Sequence, residues 1–272
     1  MRPSTQLLLF SVAALCGTPA IAQWNLPAPA SLNPADRHYV WSTHYNVHSA
    51  QVSTAANAVP LRDRQGRRLG VALSPKDFCH AAMEGTVAIT GNGQTAVYNA
   101  AGVGSTASTD CTPFFPRSGA RFKIAKQRFF KVGSEAPWGM GTAGYRLIPF
   151  RSIATDRAFF GAGTLLYLPR LRGMRFTNSD GTTIVHDGYV FAADVGGSIK
   201  RCHIDFFGGG QGEGRFFPFT SDKRHPKALE AYVVRDTAVI ARLNAAHAVR
   251  PSPARSPSAN GCTSATIGPQ ED

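Results

Sequence analysis

Three aspartates and two histidines fall within one glycine-punctuated, largely apolar stretch, His186-Asp187-Gly188-Tyr189-Val190-Phe191-Ala192-Ala193-Asp194-Val195-Gly196-Gly197-Ser198-Ile199-Lys200-Arg201-Cys202-His203-Ile204-Asp205. Carboxyl groups held close together among apolar neighbours cannot all ionise freely, so one of them should keep its proton near neutral pH. An acid in that state can donate to a glycosidic oxygen. Turn formation accounts for the same residues in plainer terms: Asp187-Gly188 is a favourable turn pair and Asp194 precedes two glycines. Lys200, between the aspartates, could lower their pKa or hold an acetamido or carboxylate group, with a solvated lysine as the bland alternative. His186, Asp187, His203 and Asp205 fit no recognised ligand spacing, so neither a metal nor another cofactor is expected.

The elements that must position these residues are strands. If Tyr189 to Asp194 is extended, Val190, Ala192 and Asp194 share one face; in a second strand, His203 and Asp205 share another. Gly196-Gly197 permits the tight reversal between them. Upstream, Tyr39, Trp41, Thr43, Tyr45 and Val47 alternate with polar neighbours, which predicts a strand over His38 to Val47. From Ala120 onward the pattern predicts short strands at Arg121 to Ile124, Tyr145 to Ile148, Thr164 to Leu168, Thr183 to Val185, Tyr189 to Ala193 and His203 to Phe207. Short strands with such punctuation make the chain mainly β, a barrel or a sandwich. Ser74-Pro75 should open a short helix to Met83, and Gly91-Asn92-Gly93 should turn a hairpin within Gly85 to Tyr98. Lys227 to Val249 holds the long helical candidate, although Leu229 to Val234 reads equally as a closing strand.

Asp194-Val195-Gly196-Gly197-Ser198-Ile199-Lys200 followed by His203-Ile204-Asp205 resembles the three-aspartate domain of membrane-bound lytic transglycosylase A and related cell-wall lysins. Leu147-Ile148-Pro149-Phe150-Arg151-Ser152 and Gly163-Thr164-Leu165-Leu166-Tyr167-Leu168-Pro169 resemble its upstream segments in the same order, so the likeness runs over roughly residues 140 to 210. The resemblance implies a six-stranded double-psi β-barrel that cleaves peptidoglycan glycan strands and leaves a 1,6-anhydro-muramyl end. It also implies that Asp205 is the catalytic acid and base, that Asp194 supports it, and that Asp187 is the remaining aspartate of the series. Thr43-His44-Tyr45 resembles the early barrel strand that lines the cleft. Thr43 and Tyr45, with Arg151, Lys200, His203 and the Gly196-Gly197 backbone, are the expected substrate contacts. Tyr45, Trp138 and Tyr145 could stack on sugar rings, with core packing as the default. Glu213, in the run Gly208 to Gly214, is an alternative base. A non-catalytic, expansin-like wall-binding module is the competing function. Arg201, Cys202 and the segment Arg157 to Ala162 depart from the family's pattern. The segment Ser49 to Trp138 is shorter than the family's large second domain, which implies a reduced groove.

The amino terminus reads as a cleavable export signal, with Arg2, an apolar run Leu7 to Leu15 and cleavage after Ala22. That run is short of the roughly 20 residues a spanning helix needs, so a periplasmic or secreted protein without a stable membrane anchor is expected. Removing the signal discards Cys16 and leaves Cys79, Cys111, Cys202 and Cys262, read as two disulfides, with Cys79–Cys111 and Cys202–Cys262 the weakly favoured pairing. The formal charge of +12 points to an anionic partner or surface, with solubility alone as the plainer alternative. In an exported protein that means a wall polymer or headgroups before nucleic acid. The expected organisation is a signal over 1–22, an N-terminal region over 23–130 with an early barrel strand and a small β-rich insertion, the three-aspartate barrel over 131–237, and a helix and Pro/Ser-rich tail over 238–272.

Overall fold

The computed structural model describes residues 25–177, 181, 183–210, 228–249 and 262. The expected export signal, Glu213 and the Pro/Ser-rich tail around Cys262 lie outside the described residues. The first part of the chain forms β1 (Arg37–Tyr45), β2 (His48–Gln51), β3 (Val59–Arg62), β4 (Arg68–Leu73), α1 (Pro75–Glu84), β5 (Thr86–Gly91), β6 (Gln94–Val103), α2 (Arg121–Ile124) and β7 (Gln127–Lys131). The second part forms β8 (Ser152–Thr155), β9 (Leu165–Tyr167), β10 (Arg175–Thr177), β11 (Thr183–Val185), β12 (Tyr189–Val195), β13 (His203–Phe207), β14 (Leu229–Val233) and α3 (Thr237–His247).

Six strands close a barrel in the order β1, β13, β8, β12, β9, β14. Two neighbouring pairs, β1 with β13 and β8 with β12, are parallel, and the other four are antiparallel. Alternation along each strand fills the interior with Val40, Ile153, Leu166, Val190, Ala192, Ile204, Phe206, Ala231 and Val233, all buried. Each Val, Leu, Ile or Phe among them contributes about 1.5–3 kcal/mol through burial, so the barrel is the rigid part on which a site can be built. The outer face is partly covered by α3, whose His247 ring stacks on Phe191 at 4.1 Å.

Between β1 and β8 the chain leaves the barrel and builds a small inserted unit. A sheet in the order β2, β5, β6, β7, the hairpin β3–β4 and α1 enclose Leu61, Leu73, Phe78, Val87 and Phe129. Cys79 bonds Cys111 here, and Cys202 bonds Cys262 at the barrel, the pairing favoured from loop length. The expected helix and hairpin also form: Ser74 caps α1 through the Asp77 amide at 3.1 Å, and Asn92 (φ 51°) and Gly93 (φ 74°) supply the left-handed turn pair between β5 and β6.

Three local expectations change. Arg121–Ile124 is a helical turn, closed by the Ile124 amide on Ala120 and the Ala125 amide on Arg121. Tyr145–Ile148 makes only isolated bridges, because Ala143 and Gly144, both at positive φ, turn the chain immediately before it. Leu229–Val233 is the closing barrel strand, and the helix starts later, where Asp236 accepts from the Ala238 and Val239 amides.

Candidate active site

The central strand of the site is β8, whose small Ala154 pairs with Asp194 on β12 and with Asp205 on β13. Asp205 in turn pairs with Thr43 on β1. Asp194, Ala154, Asp205 and Thr43 therefore form one row across four adjacent strands. Two strand spacings separate the aspartate backbones, about 10 Å. The row lies on the outer face, since Ile153, Ile204 and Phe206 beside it point into the barrel. Asp194, Asp205, Thr43 and Tyr45 are all half-buried.

Asp194 reaches this face through a β-bulge. The β12–β8 register shifts between Ala192 and Asp194, so Ala193 is an extra residue. Strict alternation, as expected from sequence, puts Asp194 on the face of Val190 and Ala192, which is the barrel interior. The bulge turns it outward beside Asp205 instead. The Ala193 carbonyl is held by the Thr142 amide at 2.8 Å. Gly141 permits that approach, because a Cβ there would run into the Ala193 carbonyl.

The hydrogen bonds of the row are short and specific. The Thr43 hydroxyl donates to Asp205 Oδ1 at 2.7 Å, and Thr43 Oγ1 itself lies 2.7 Å from His203 Nε2. The Tyr45 hydroxyl donates to Asp194 Oδ2 at 3.2 Å, while Asp194 Oδ1 accepts from the Val195 amide at 2.8 Å. Burial pushes Asp205 up to about 7, opposed by the Thr43 hydrogen bond and reinforced by the charges of Glu84 and Asp194. Burial raises Asp194 to about 6, with the Val195 amide and the Tyr45 hydroxyl pulling it down. The Tyr45 phenol is pushed well above its ordinary value, first by burial and then by Asp194, and so remains a donor.

Glu84, from the inserted unit, is a member of this cluster that sequence reasoning missed. It ends α1, and its Oε2 accepts from the Asn46 amide, one residue beyond Tyr45, at 3.1 Å. Burial raises its pKa as well. One signal was present in the sequence: a carboxylate at a helix C-terminus faces the unfavourable end of the helix dipole, so another interaction must hold it there. Glu84→Gln removes the charge and keeps an acceptor for Asn46. It is expected to lower the pKa of Asp205, seen as a shift of the pH–rate profile to lower pH.

Asp187 sits elsewhere. Its Oδ1 and Oδ2 accept from Arg151 Nη1 and Nη2 at 2.7 and 2.9 Å, and the Leu26 and Tyr189 amides, each at 3.2 Å, complete the shell. Arg151 is fully buried and Asp187 nearly so. Asp187, expected in catalysis, and Arg151, expected at the substrate, thus form a buried ion pair that fastens the start of β8 to the start of β12. His186 beside it is neutral, its pKa depressed to about 3 by burial and by Arg151. Its Nδ1 accepts from the Gly188 amide, which leaves the proton on Nε2 for the Phe150 carbonyl at 2.9 Å.

The other expected contacts divide between the row and its surroundings. His203 is buried against Trp41, with ring centroids 3.5 Å apart and planes 8° from parallel. Lys200 is exposed, and its charge acts on Asp156, which accepts from the Arg201 amide at 2.9 Å. Gly196 and Gly197 lie in the reversal between β12 and β13, at the open edge of the row. Tyr145 is buried in the core, while Trp138 is only partly buried against it. Cys202 precedes His203, so its disulfide to Cys262 tethers the strand that carries Asp205.

The fold is a closed six-stranded barrel with Asp194 and Asp205 in one row on its outer face, and residues 151–215, from the buried arginine past Asp205, match the family described as "3D domain". A curated relative, Membrane-bound lytic murein transglycosylase A of Vibrio cholerae serotype O1, is 36% identical over 83 residues, covering 30% of this chain and 21% of that protein. The matched stretch thus spans about a fifth of that relative. A crystal structure of E. coli MltA with bound chitohexaose superposes with a TM-score of 0.50 at 16% identity, covering 72% of this chain and 71% of that one. That likeness establishes a shared fold. A membrane-bound lytic murein transglycosylase from Agrobacterium tumefaciens gives 0.48 at 14% identity, covering 78% and 77%.

Proposed function

We propose that this chain is an exported lytic transglycosylase that cleaves the MurNAc-GlcNAc bond of peptidoglycan and leaves a 1,6-anhydro end. The observation that carries it is the placement of Asp205, a half-buried carboxyl raised to about 7 on the outer face of a rigid barrel, flanked by Thr43 and Asp194. Likeness to the relatives above supports the same assignment. Protonated Asp205 gives its proton to the glycosidic oxygen as the bond from C1 to that oxygen breaks. The sugar's own C6 hydroxyl then attacks C1, and the Asp205 carboxylate takes the hydroxyl proton. One carboxyl serves both steps because the nucleophile is internal. Asp194, held by Tyr45 and Val195, supports the cleft and keeps negative charge near Asp205. The export signal and the surplus positive charge suit work at the cell envelope on wall polymer. Among the described residues no helix is long and apolar enough to cross a membrane.

The pH dependence follows from the proton-donating role. With a pKa of about 7, Asp205 is mostly protonated at pH 6, whereas an unperturbed aspartate near 3.9 would be about 1% protonated. Plotted as kcat/KM, activity should be retained on the acid side and fall about tenfold per pH unit above the Asp205 pKa. A profile flat from pH 6 to 9 would contradict the assignment of Asp205 as acid.

The function itself is tested by incubating purified sacculi with the protein and identifying soluble products by mass spectrometry. Muropeptides with anhydro ends are expected. Retention on sacculi with no released fragments would instead mark a wall-binding module, and reducing ends would mark hydrolysis.

A further inference from the structure

We propose that His203 is a positioning residue which, acting through the Thr43 hydroxyl, keeps the catalytic proton of Asp205 on Oδ2. The inference rests on the role of Asp205 proposed above. Its basis is the parallel register of β1 and β13, which pairs Trp41 with His203 and Thr43 with Asp205 on one face. The Trp41 ring fixes the imidazole by stacking, and Nε2 then meets Thr43 Oγ1 at 2.7 Å, itself 2.7 Å from Asp205 Oδ1. Among the described residues, Asp205 Oδ2 accepts no hydrogen bond, which leaves that oxygen for the substrate.

A threonine hydroxyl has a single proton to donate, so the two bonds it makes cannot be oriented independently. In one arrangement Nε2–H donates to Oγ1 and the hydroxyl donates to Oδ1. Asp205 must then carry its proton on Oδ2, facing the cleft. In the reverse arrangement Oδ1 is protonated and donates to Thr43, which donates to an unprotonated Nε2, and the acid proton points away from any sugar. The first arrangement also suits the second half of the reaction. When Oδ2 has given up its proton, the carboxylate keeps an aligned donor at Oδ1, and neither the hydroxyl nor the imidazole has to reorient. His203 as an Nε2–H donor therefore selects the productive geometry without touching substrate.

The test compares kcat and KM of four variants on sacculus-derived glycan strands, with melting temperatures alongside. His203→Phe keeps a ring on Trp41 and loses the donor; kcat should fall about tenfold or more with KM little changed. His203→Gln places an amide N–H near the Nε2 position and should recover most of that loss. Thr43→Val should cost about as much as His203→Phe, and the two together no more than either alone, because they break one chain of hydrogen bonds. Full activity of His203→Phe, equal losses for His203→Phe and His203→Gln, or additive losses in the double variant would overturn the proposal. Should His203→Phe fail to fold, the Gln and Val variants still decide it. Asp205→Asn run in parallel separates the two levels: an active Asp205→Asn removes the acid assignment and this proposal with it. An inactive Asp205→Asn beside a fully active His203→Phe removes this proposal alone.

Discussion

Asp205→Asn is expected to abolish fragment release, by about 10³-fold or more, while sacculus binding and the fold are retained. The amide is nearly isosteric, and its oxygen can still accept from the Thr43 hydroxyl at the position of Oδ1. It can neither give a proton to a leaving oxygen nor take one from a C6 hydroxyl, so both proton steps fail together. General acid–base catalysis contributes about 10²–10⁴-fold per proton transfer, which sets the scale. A second outcome distinguishes a reacting acid from a merely structural one. Because the folded-state pKa is raised, the folded protein binds more protons than the unfolded chain between the ordinary aspartate value and about 7. The stability contributed by Asp205 is therefore greatest below its unfolded pKa and falls as pH rises to about 7. Removing the ionisable group should raise the melting temperature at pH 8 and leave it little changed, or lower it, at pH 4. Loss of activity combined with gain of neutral-pH stability is the signature of a functional residue held at a cost to folding.

Asp187→Ala is expected to act on stability instead, by about 3–5 kcal/mol, because it leaves the Arg151 guanidinium buried without its carboxylate. Against a typical total of about 5–15 kcal/mol this is a large share, and at roughly 2–4 °C per kcal/mol it lowers Tm by about 10 °C. Replacing both partners by apolar residues, Arg151→Met with Asp187→Leu, should restore much of the loss, since no unpaired charge then remains. Residual activity of Asp187→Ala should follow the folded fraction. An Asp187→Ala protein that melts normally yet releases no fragments would show instead that Asp187 takes part in the chemistry. Calorimetry and fragment release on the same samples separate these outcomes.

One sequence motif thus splits into unlike parts, Asp194 and Asp205 in the row and Asp187 in a buried ion pair, and that division could not be read from the residues in order. Asp194 and Asp205 were legible as a pair because Gly196-Gly197 reverses the chain between their strands, but β8, which intervenes and sets them two strand spacings apart, was not. Their common face was not legible. Ala193 is one small residue among several, and nothing in its type announces a bulge, yet without it Asp194 would point into the barrel core. β8 was absent from the expected strands because it has only four residues and follows a buried arginine, an unusual composition for a central strand. Arg151 was expected at the substrate through the resemblance of its Pro149-Phe150-Arg151-Ser152 segment; its burial depends on Asp187, thirty-six residues later in the chain. A small β-rich insertion was the expectation for this region, but the reach of Glu84 to the end of β1 is a tertiary fact that residue order does not carry. Strand alternation, by contrast, identified Trp41, Thr43 and Tyr45 as one face, and that face is the one that meets His203, Asp205 and Asp194.

In the proposed mechanism a single outward-facing acid, Asp205, performs both proton steps with the sugar's own hydroxyl as nucleophile. Digestion of sacculi in water enriched in oxygen-18, with mass analysis of the newly formed muramyl ends, tests it most directly. Anhydro ends free of the label are predicted, and their formation should cease with Asp205→Asn. Labelled, reducing ends would mean that water is the nucleophile and that a second carboxylate activates it, which rules out Asp205 acting alone with the C6 hydroxyl.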